Sequence, residues 1–353
     1  MTQLTVRTVL AAGASTLLLV LATSRADAAD AARPRCDDDN GGLALPEGFC
    51  AFVAADGLGR ARDVTVAPNG DVYVAIDGGE GGIAALRDAD ADGRLEQVER
   101  FGGEGGSGVQ YQDDHLYFAS GLFILRYPLI GGALVPRGVP EIIVTGLLPE
   151  RARRFEVDGD GNLYVDNAPS DACLTQDRAA DAPAQDPCVQ AGVWQFSADT
   201  PNQDAATHGK RYSTGSRDGI VNAWNTGNGK RYAVMHGVAR TSEPWPGDYS
   251  DMLIYTGKLF PAQYRGGAFV ASAGSGNGLP SERRGHRVDF VRFADGKPAG
   301  TPEIFADSFV PADVLRTPGD ARDRPVSLAQ GPDGSLYIAD AEYGRIWRVL
   351  NGR

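Results

Sequence analysis

The sequence predicts an all-β chain folded as a six-bladed β-propeller, with room in the pattern for one incomplete blade. Three observations lead there. A hairpin unit recurs along the chain, 46 Gly and 21 Pro make up about a fifth of the 353 residues, and no window carries a long amphipathic helical period. Many short strands joined by Gly and Pro turns fit that composition. Radial repetition also protects the sheet edges that an open all-β chain would leave exposed. A β-sandwich, or two separate β domains, is the alternative.

The repeat is clearest in three segments, Val64 to Val74, Phe155 to Val165 and Leu328 to Ile338. In each, alternating apolar residues enter a turn at Asn69-Gly70, Asp160-Gly161 or Asp333-Gly334. An apolar-Tyr-apolar strand then leaves it, at Val72-Tyr73-Val74, Leu163-Tyr164-Val165 and Leu336-Tyr337-Ile338. The glycines supply the positive φ that such tight turns require. A further apolar stretch follows each hairpin, at Gly82 to Leu86, Gly192 to Phe196 and Arg345 to Val349. Weaker copies occur at Asp114 to Phe118 with Ile124 to Tyr127, at Arg231 to Val234, and at Gly267 to Ala271 with Val288 to Val291. Between Gln176 and Val189 the chain is rich in Ala, Asp, Gln and Pro without periodicity, which predicts a loop.

Residues 1–28 read as an export signal. Arg7 precedes an apolar run from Val9 to Ala22, and Ala26-Asp27-Ala28 offers the small-x-small pattern cut by signal peptidase. The run is shorter than a membrane-spanning helix needs. The expectation is a periplasmic or secreted protein with one propeller domain over 29–353. With 46 acidic against 34 basic residues and a net charge of −12, nucleic acid and anionic membrane are poor partners. Cys36, Cys50, Cys173 and Cys188 all follow the expected cleavage point. An oxidising compartment favours disulfides, and Cys36 with Cys50 and Cys173 with Cys188 is the simplest of three pairings. The four histidines are scattered singly and no CxxC is present, which argues against zinc.

Asp88-Ala89-Asp90-Ala91-Asp92-Gly93 with Glu99 carries acids at loop positions 1, 3, 5 and 12 and Gly at 6. That spacing gathers hard oxygen ligands for calcium, although the preceding segment reads as a strand and a solvated acidic turn would look alike. Gly103 to Gly108 matches G-x-G-x-x-G but lacks the βαβ context of a dinucleotide site and reads as a flexible loop. No serine-hydrolase elbow, P-loop or zincin motif occurs. Arg217 and Arg324 stand just before strand-like segments, where arginines fork onto ligand carboxylates or form surface ion pairs.

Longer motifs run in order through the chain: Leu45 to Phe49, Gly57 to Arg62, Ala152 to Phe155, Ala168 to Cys173, Gly209 to Gly215, Tyr255 to Gly257, Tyr264 to Phe269 and Arg324 to Val326. Together they resemble the glucose/sorbosone dehydrogenase family, exported six-bladed propellers that oxidise aldoses with pyrroloquinoline quinone (PQQ) and calcium. The resemblance implies that Arg217 and Arg324 bind the cofactor's carboxylates, with Asp340 and Asn277 in the same shell. It implies that the Gly237 and Val238 carbonyls ligate the active-site calcium. Glu150 stands where the family has its catalytic His, so it is the expected base, provided burial raises its pKa. The family's HGSWN segment reads Ala273-Gly274-Ser275-Gly276-Asn277 here, Asp218 follows Arg217 in place of Asn, and several tens of residues are skipped near Ser250.

These readings imply an exported PQQ- and calcium-dependent sugar dehydrogenase with a small-molecule sugar substrate and an electron acceptor. The alternative is a catalytically degenerate propeller that binds a carbohydrate or anionic ligand in its axial funnel. A calcium-dependent lactonase rests on fold analogy alone.

Overall fold

The computed structural model describes residues 34–78, 81–103, 105–147, 154–167, 193–212, 220–225, 230–235, 249–273, 286–294, 297–309 and 323–352. Strand β1 (Phe49–Ala55) leads into a first blade of β2 (Ala61–Val66), β3 (Val72–Ile76), β4 (Gly82–Arg87) and β5 (Gln97–Phe101). The second blade is β6 (Gly108–Gln112), β7 (His115–Ser120), β8 (Phe123–Pro128) and β9 (Glu141–Thr145). The third holds β10 (Phe155–Val157), β11 (Asn162–Asp166) and β12 (Val193–Ser197); β13 (Gln203–Asp204) pairs in parallel with β9 before β14 (Lys210–Arg211) completes it. A ribbon of β15 (Ile220–Asn225) and β16 (Lys230–Met235) follows. The next blade comprises β17 (Tyr249–Ile254), β18 (Ala268–Ser272), β19 (Arg287–Ala294) and β20 (Lys297–Ala306). The last comprises β21 (Pro325–Gln330), β22 (Leu336–Asp340) and β23 (Ile346–Asn351), with β1 on its outer edge.

The fold is an all-β propeller. Its first strands form a closed ring, in which β2 packs on β6 and β21, β21 on β17, β17 on β15, β15 on β10 and β10 on β6. The expected six blades are corrected to five full blades and a two-stranded ribbon among the described residues. Chain length explains this. Between Met235 and Tyr249 only residues 236–248 remain, too few for two strands of ordinary length with their turns.

Each of the three clear repeats is a hairpin, as expected, in which Val66 faces Val72, Val157 faces Leu163, and Gln330 faces Leu336. Within the Gly103 to Gly108 stretch, Gly106 lies against the second blade and Gly108 opens β6. A Cβ on Gly106 would come within 2.3 Å of the Phe118 ring, so this glycine lets the backbone lie against the core of the second blade. Closure by β1 has no counterpart in the repeat pattern. Phe49↔Asn351 through Val53↔Trp347 pair antiparallel, joining the first described strand and the last in one sheet. An aromatic cluster of Phe49, Tyr255, Phe260, Tyr264, Phe269 and Phe305 sits behind that seam.

The Cys36–Cys50 disulfide forms as expected and ties the segment before β1 to the closing strand; Cys173 and Cys188 lie outside the described residues. Among the described residues no helix is long and apolar enough to cross a membrane. Because a loop of this size constrains the unfolded chain by roughly 3 kcal/mol, Cys36→Ser with Cys50→Ser is expected to lower stability by about that amount. The midpoint of guanidinium unfolding measures it.

Candidate functional site

An innermost propeller strand has one edge with no strand beside it, and its N–H and C=O groups need partners. Here they come from side chains of neighbouring blades. Asp63 Oδ2 accepts from Val109 N at 2.9 Å, Thr65 Oγ1 from Tyr111 N at 3.2 Å, and Gln110 Oε1 from Val157 N at 2.7 Å. Asp251 Oδ2 accepts from Leu328 N at 2.8 Å, and Ser327 Oγ from Val64 N at 3.2 Å. The register shows how the repeat sets this up. Asp63, Gly108, Asp251 and Ser327 occupy one level, opposite the buried Ala75, Ala119, Ala271 and Ala339. In the third blade the same level is held by Arg154, whose carbonyl accepts from Asp166 N.

Arg154 ties four blades together. Its Nη2 donates to the Ser250 and Val326 carbonyls at 2.6 and 3.0 Å. Nη1 lies 3.3 Å from Asp63 Oδ1 and 3.6 Å from Asp251 Oδ1. Ser327 Oγ contacts both acids, at 2.6 and 2.9 Å. Two carboxylates thus face one guanidinium, and Glu156, two residues after Arg154, accepts from Gln110 Nε2 at 3.3 Å nearby. Burial, then the charge of Asp251, pushes Asp63 up to about 6 against the favourable pull of Arg154. Burial, with Asp251 and Asp63 adding to it, also raises Glu156 well above its usual range. Sequence reasoning missed this network. Its signal was present, since the residue just before each aligned repeat, Asp63, Arg154 and Ser327, is polar in all three copies.

The second candidate region lies at one end of the ring. In an up-and-down blade, the connection entering the first strand and the one between the second and third emerge at the same end. Arg324 enters β21, Asp340 ends β22, Ala273 follows β18 and His286 precedes β19. Arg324 Nε donates to the Ala273 carbonyl at 3.0 Å, and Nη1 lies 3.3 Å from Glu342 Oε1. Asp340 accepts main-chain N–H groups from Arg324, Glu342 and Tyr343 at 2.6, 3.1 and 2.6 Å. Its carboxylate therefore holds the turn that presents Arg324. His286 takes a left-handed φ of 54°, and its Nδ1 is buried without a hydrogen-bond partner. Glu150, Arg217, Gly237, Val238 and Asn277 lie outside the described residues.

The acidic loop differs from its expected ligand set in one place. Asp88, Asp90, Asp92 and Glu96, rather than Glu99, bring one oxygen each within 4.8 Å of one another. Strand β5 starts at Gln97, so Glu99 is carried away opposite Ala85 and accepts from Gln97 instead. Glu96 sits just before that strand and accepts from Ala89 N at 2.7 Å. Gly93, at φ 97°, lies where a Cβ would meet Pro34 and Phe52 within 3 Å, which seats the loop against the N-terminal segment.

No protein-family profile matches the sequence, and no curated protein matches it. Solved structures do. The PQQ domain of pyranose dehydrogenase from Coprinopsis cinerea aligns with a TM-score of 0.65 at 14% identity, over 90% of this chain and 98% of that one. The chain shares a propeller fold with PQQ-dependent sugar dehydrogenases. The calcium structure of a Trichoderma reesei family AA12 carbohydrate-active enzyme aligns at 0.62 and 13% identity over 88% and 98%. The PQQ-bound aldose sugar dehydrogenase of Streptomyces coelicolor aligns at 0.54 and 15% identity over 87% and 99%.

Two outcomes follow from the axial network. Arg154→Met strands buried carboxylates without their cation and is expected to cost about 3–5 kcal/mol, measured by denaturant unfolding. Asp63 binds a proton in the folded state more tightly than in the unfolded chain, so its contribution is complete below about pH 4. That contribution is lost as pH rises through about 6, and Glu156 acts in the same direction. Stability is therefore expected to fall across this window in wild type, and Asp63→Asn with Glu156→Gln is expected to flatten the profile.

Proposed function

We propose that the protein is a PQQ-dependent sugar-oxidising propeller acting at the end of the ring that carries Arg324. The observation that carries the reading is the fold likeness to PQQ sugar dehydrogenases over nearly the whole length of each. Local chemistry supports it. On the same end of the ring as Arg324, His286 keeps a buried nitrogen without a protein partner, which can accept a hydrogen bond from a ligand hydroxyl. Arg324 would hold a cofactor carboxylate through its guanidinium, and Arg217 and Asn277 belong to the same proposed shell. Calcium at the Gly237 and Val238 carbonyls completes it. When bound, the quinone supplies a two-electron acceptor; the chain's own residues orient the sugar, exclude water and take its proton. Export through residues 1–28 remains part of the proposal.

A second reading is favoured by the ion pair between Arg324 and Glu342. A carboxylate already beside the guanidinium weakens its attraction for an anionic cofactor, and a propeller that binds an uncharged carbohydrate without oxidising it would tolerate this. Reconstitution with PQQ and calcium separates the two. Micromolar PQQ binding with aldose-dependent dye reduction supports the dehydrogenase. No PQQ binding, with sugar binding retained, supports the second reading. In the first case Arg324→Ala is expected to weaken PQQ binding roughly tenfold or more, since a charge-assisted hydrogen bond contributes about 1.5–3 kcal/mol.

We further propose calcium in the loop of Asp88, Asp90, Asp92 and Glu96. Asp88 Oδ1 is buried with no partner, and the donors are all hard oxygens. Calcium is expected to raise the melting temperature by mass action. Asp88→Ala with Asp90→Ala should abolish that rise, as read by differential scanning fluorimetry.

A further inference from the structure

We infer that His286 is the proton acceptor of the site beside Arg324, with Nδ1 as the accepting atom; the assignment rests on the dehydrogenase reading above. Three independent features single out this side chain. It is the imidazole placed just before β19, at the end of the ring where Arg324 enters β21 and Asp340 closes its turn. Its backbone is held in the left-handed region at φ 54°, which a β-carbon-bearing residue adopts at a cost and keeps where the surroundings over-determine it. Its Nδ1 is enclosed yet makes no hydrogen bond, and buried polar atoms are otherwise nearly always paired.

The electrostatics suit a base. Burial first, then the positive charge of Arg324, lowers the imidazole's affinity for protons, while Glu342 and a main-chain hydrogen bond with Asp323 work the other way and only partly offset this. At neutral pH the ring is therefore uncharged and its free nitrogen can accept a proton. The same placement is absent from the other described histidines. His115 Nδ1 lies 2.7 Å from the Asp113 carbonyl, and His208 Nδ1 is engaged by Asp204 N and Thr207.

The step is a two-electron oxidation of an aldose at C1. The O–H bond of the sugar would break with its proton passing to His286 Nδ1, and the imidazolium would return that proton to water; a bound quinone would supply the acceptor for the two electrons released as the aldose becomes its lactone.

The test uses the full protein, with and without PQQ and calcium. Without cofactor, 15N-imidazole NMR is expected to show His286 titrating below the ordinary value of about 6.5; titration at or above that value overturns the assignment. With cofactor, His286→Asn is expected to keep PQQ affinity within about threefold, lose ~10²–10⁴ in kcat and lose the acid limb of the pH–rate profile. Added imidazole should restore part of the rate to His286→Gly. If wild type is active and His286→Asn retains kcat within threefold or keeps the same acid limb, the base lies elsewhere while the dehydrogenase reading stands. If wild type neither binds PQQ nor oxidises an aldose, that failure appears before any variant is made and removes both.

Discussion

Every blade of a propeller leaves one strand edge facing the axis, and in this protein those edges are satisfied sideways. Among the described residues, four innermost strands lend a side chain to the main chain of the next, as Asp63 does to Val109, Gln110 to Val157, Asp251 to Leu328 and Ser327 to Val64. The arrangement needs acceptors, and two of them are acids placed close enough to repel. Arg154 offsets that repulsion from the third blade, reaching Asp63 in the first and Asp251 in the blade built on β17. Without a cation at that level, burying both carboxylates would cost more than their hydrogen bonds return. The ring thus depends on one guanidinium at the point where four blades meet.

That constraint also separates structure from chemistry. The axial groups have their hydrogen-bonding capacity taken up by one another, so they form a scaffold rather than a ligand site. His286, whose Nδ1 has no hydrogen-bond partner, stands with Arg324 on connections at one end of the ring, those entering β19 and β21. Asp340 serves that end indirectly, because its carboxylate is spent on three main-chain donors that fix the turn beneath Arg324. A rigid ring carrying variable connections is a general way for a propeller to change its chemistry without changing its fold.

Much of this was legible in the residues, and what was not has physical causes. The hairpins could be read because Tyr73, Tyr164 and Tyr337 repeat in the same frame, each following a Gly turn. The closing strand β1 could not, since it precedes the first copy and pairs with the far end of the chain. The axial network hid because its members, Asp63, Arg154 and Ser327, differ in chemistry while sharing a position. In the acidic loop the spacing named Glu99, but the start of β5 at Gln97 turned that residue away and left Glu96 to face the aspartates. His286 carried no motif, and only its backbone conformation and its unpaired nitrogen distinguish it.

The claim that buried acids balanced on Arg154 organise the ring is tested most directly by the titration of Asp63 itself. Side-chain carboxyl 13C chemical shifts of the folded protein, followed from pH 3 to 8 and assigned with Asp63→Asn, should show this group titrating at about 6. In Arg154→Met, if folded, its midpoint should move higher still. An Asp63 resonance that titrates near 4, the value of an unperturbed aspartate, would contradict the account.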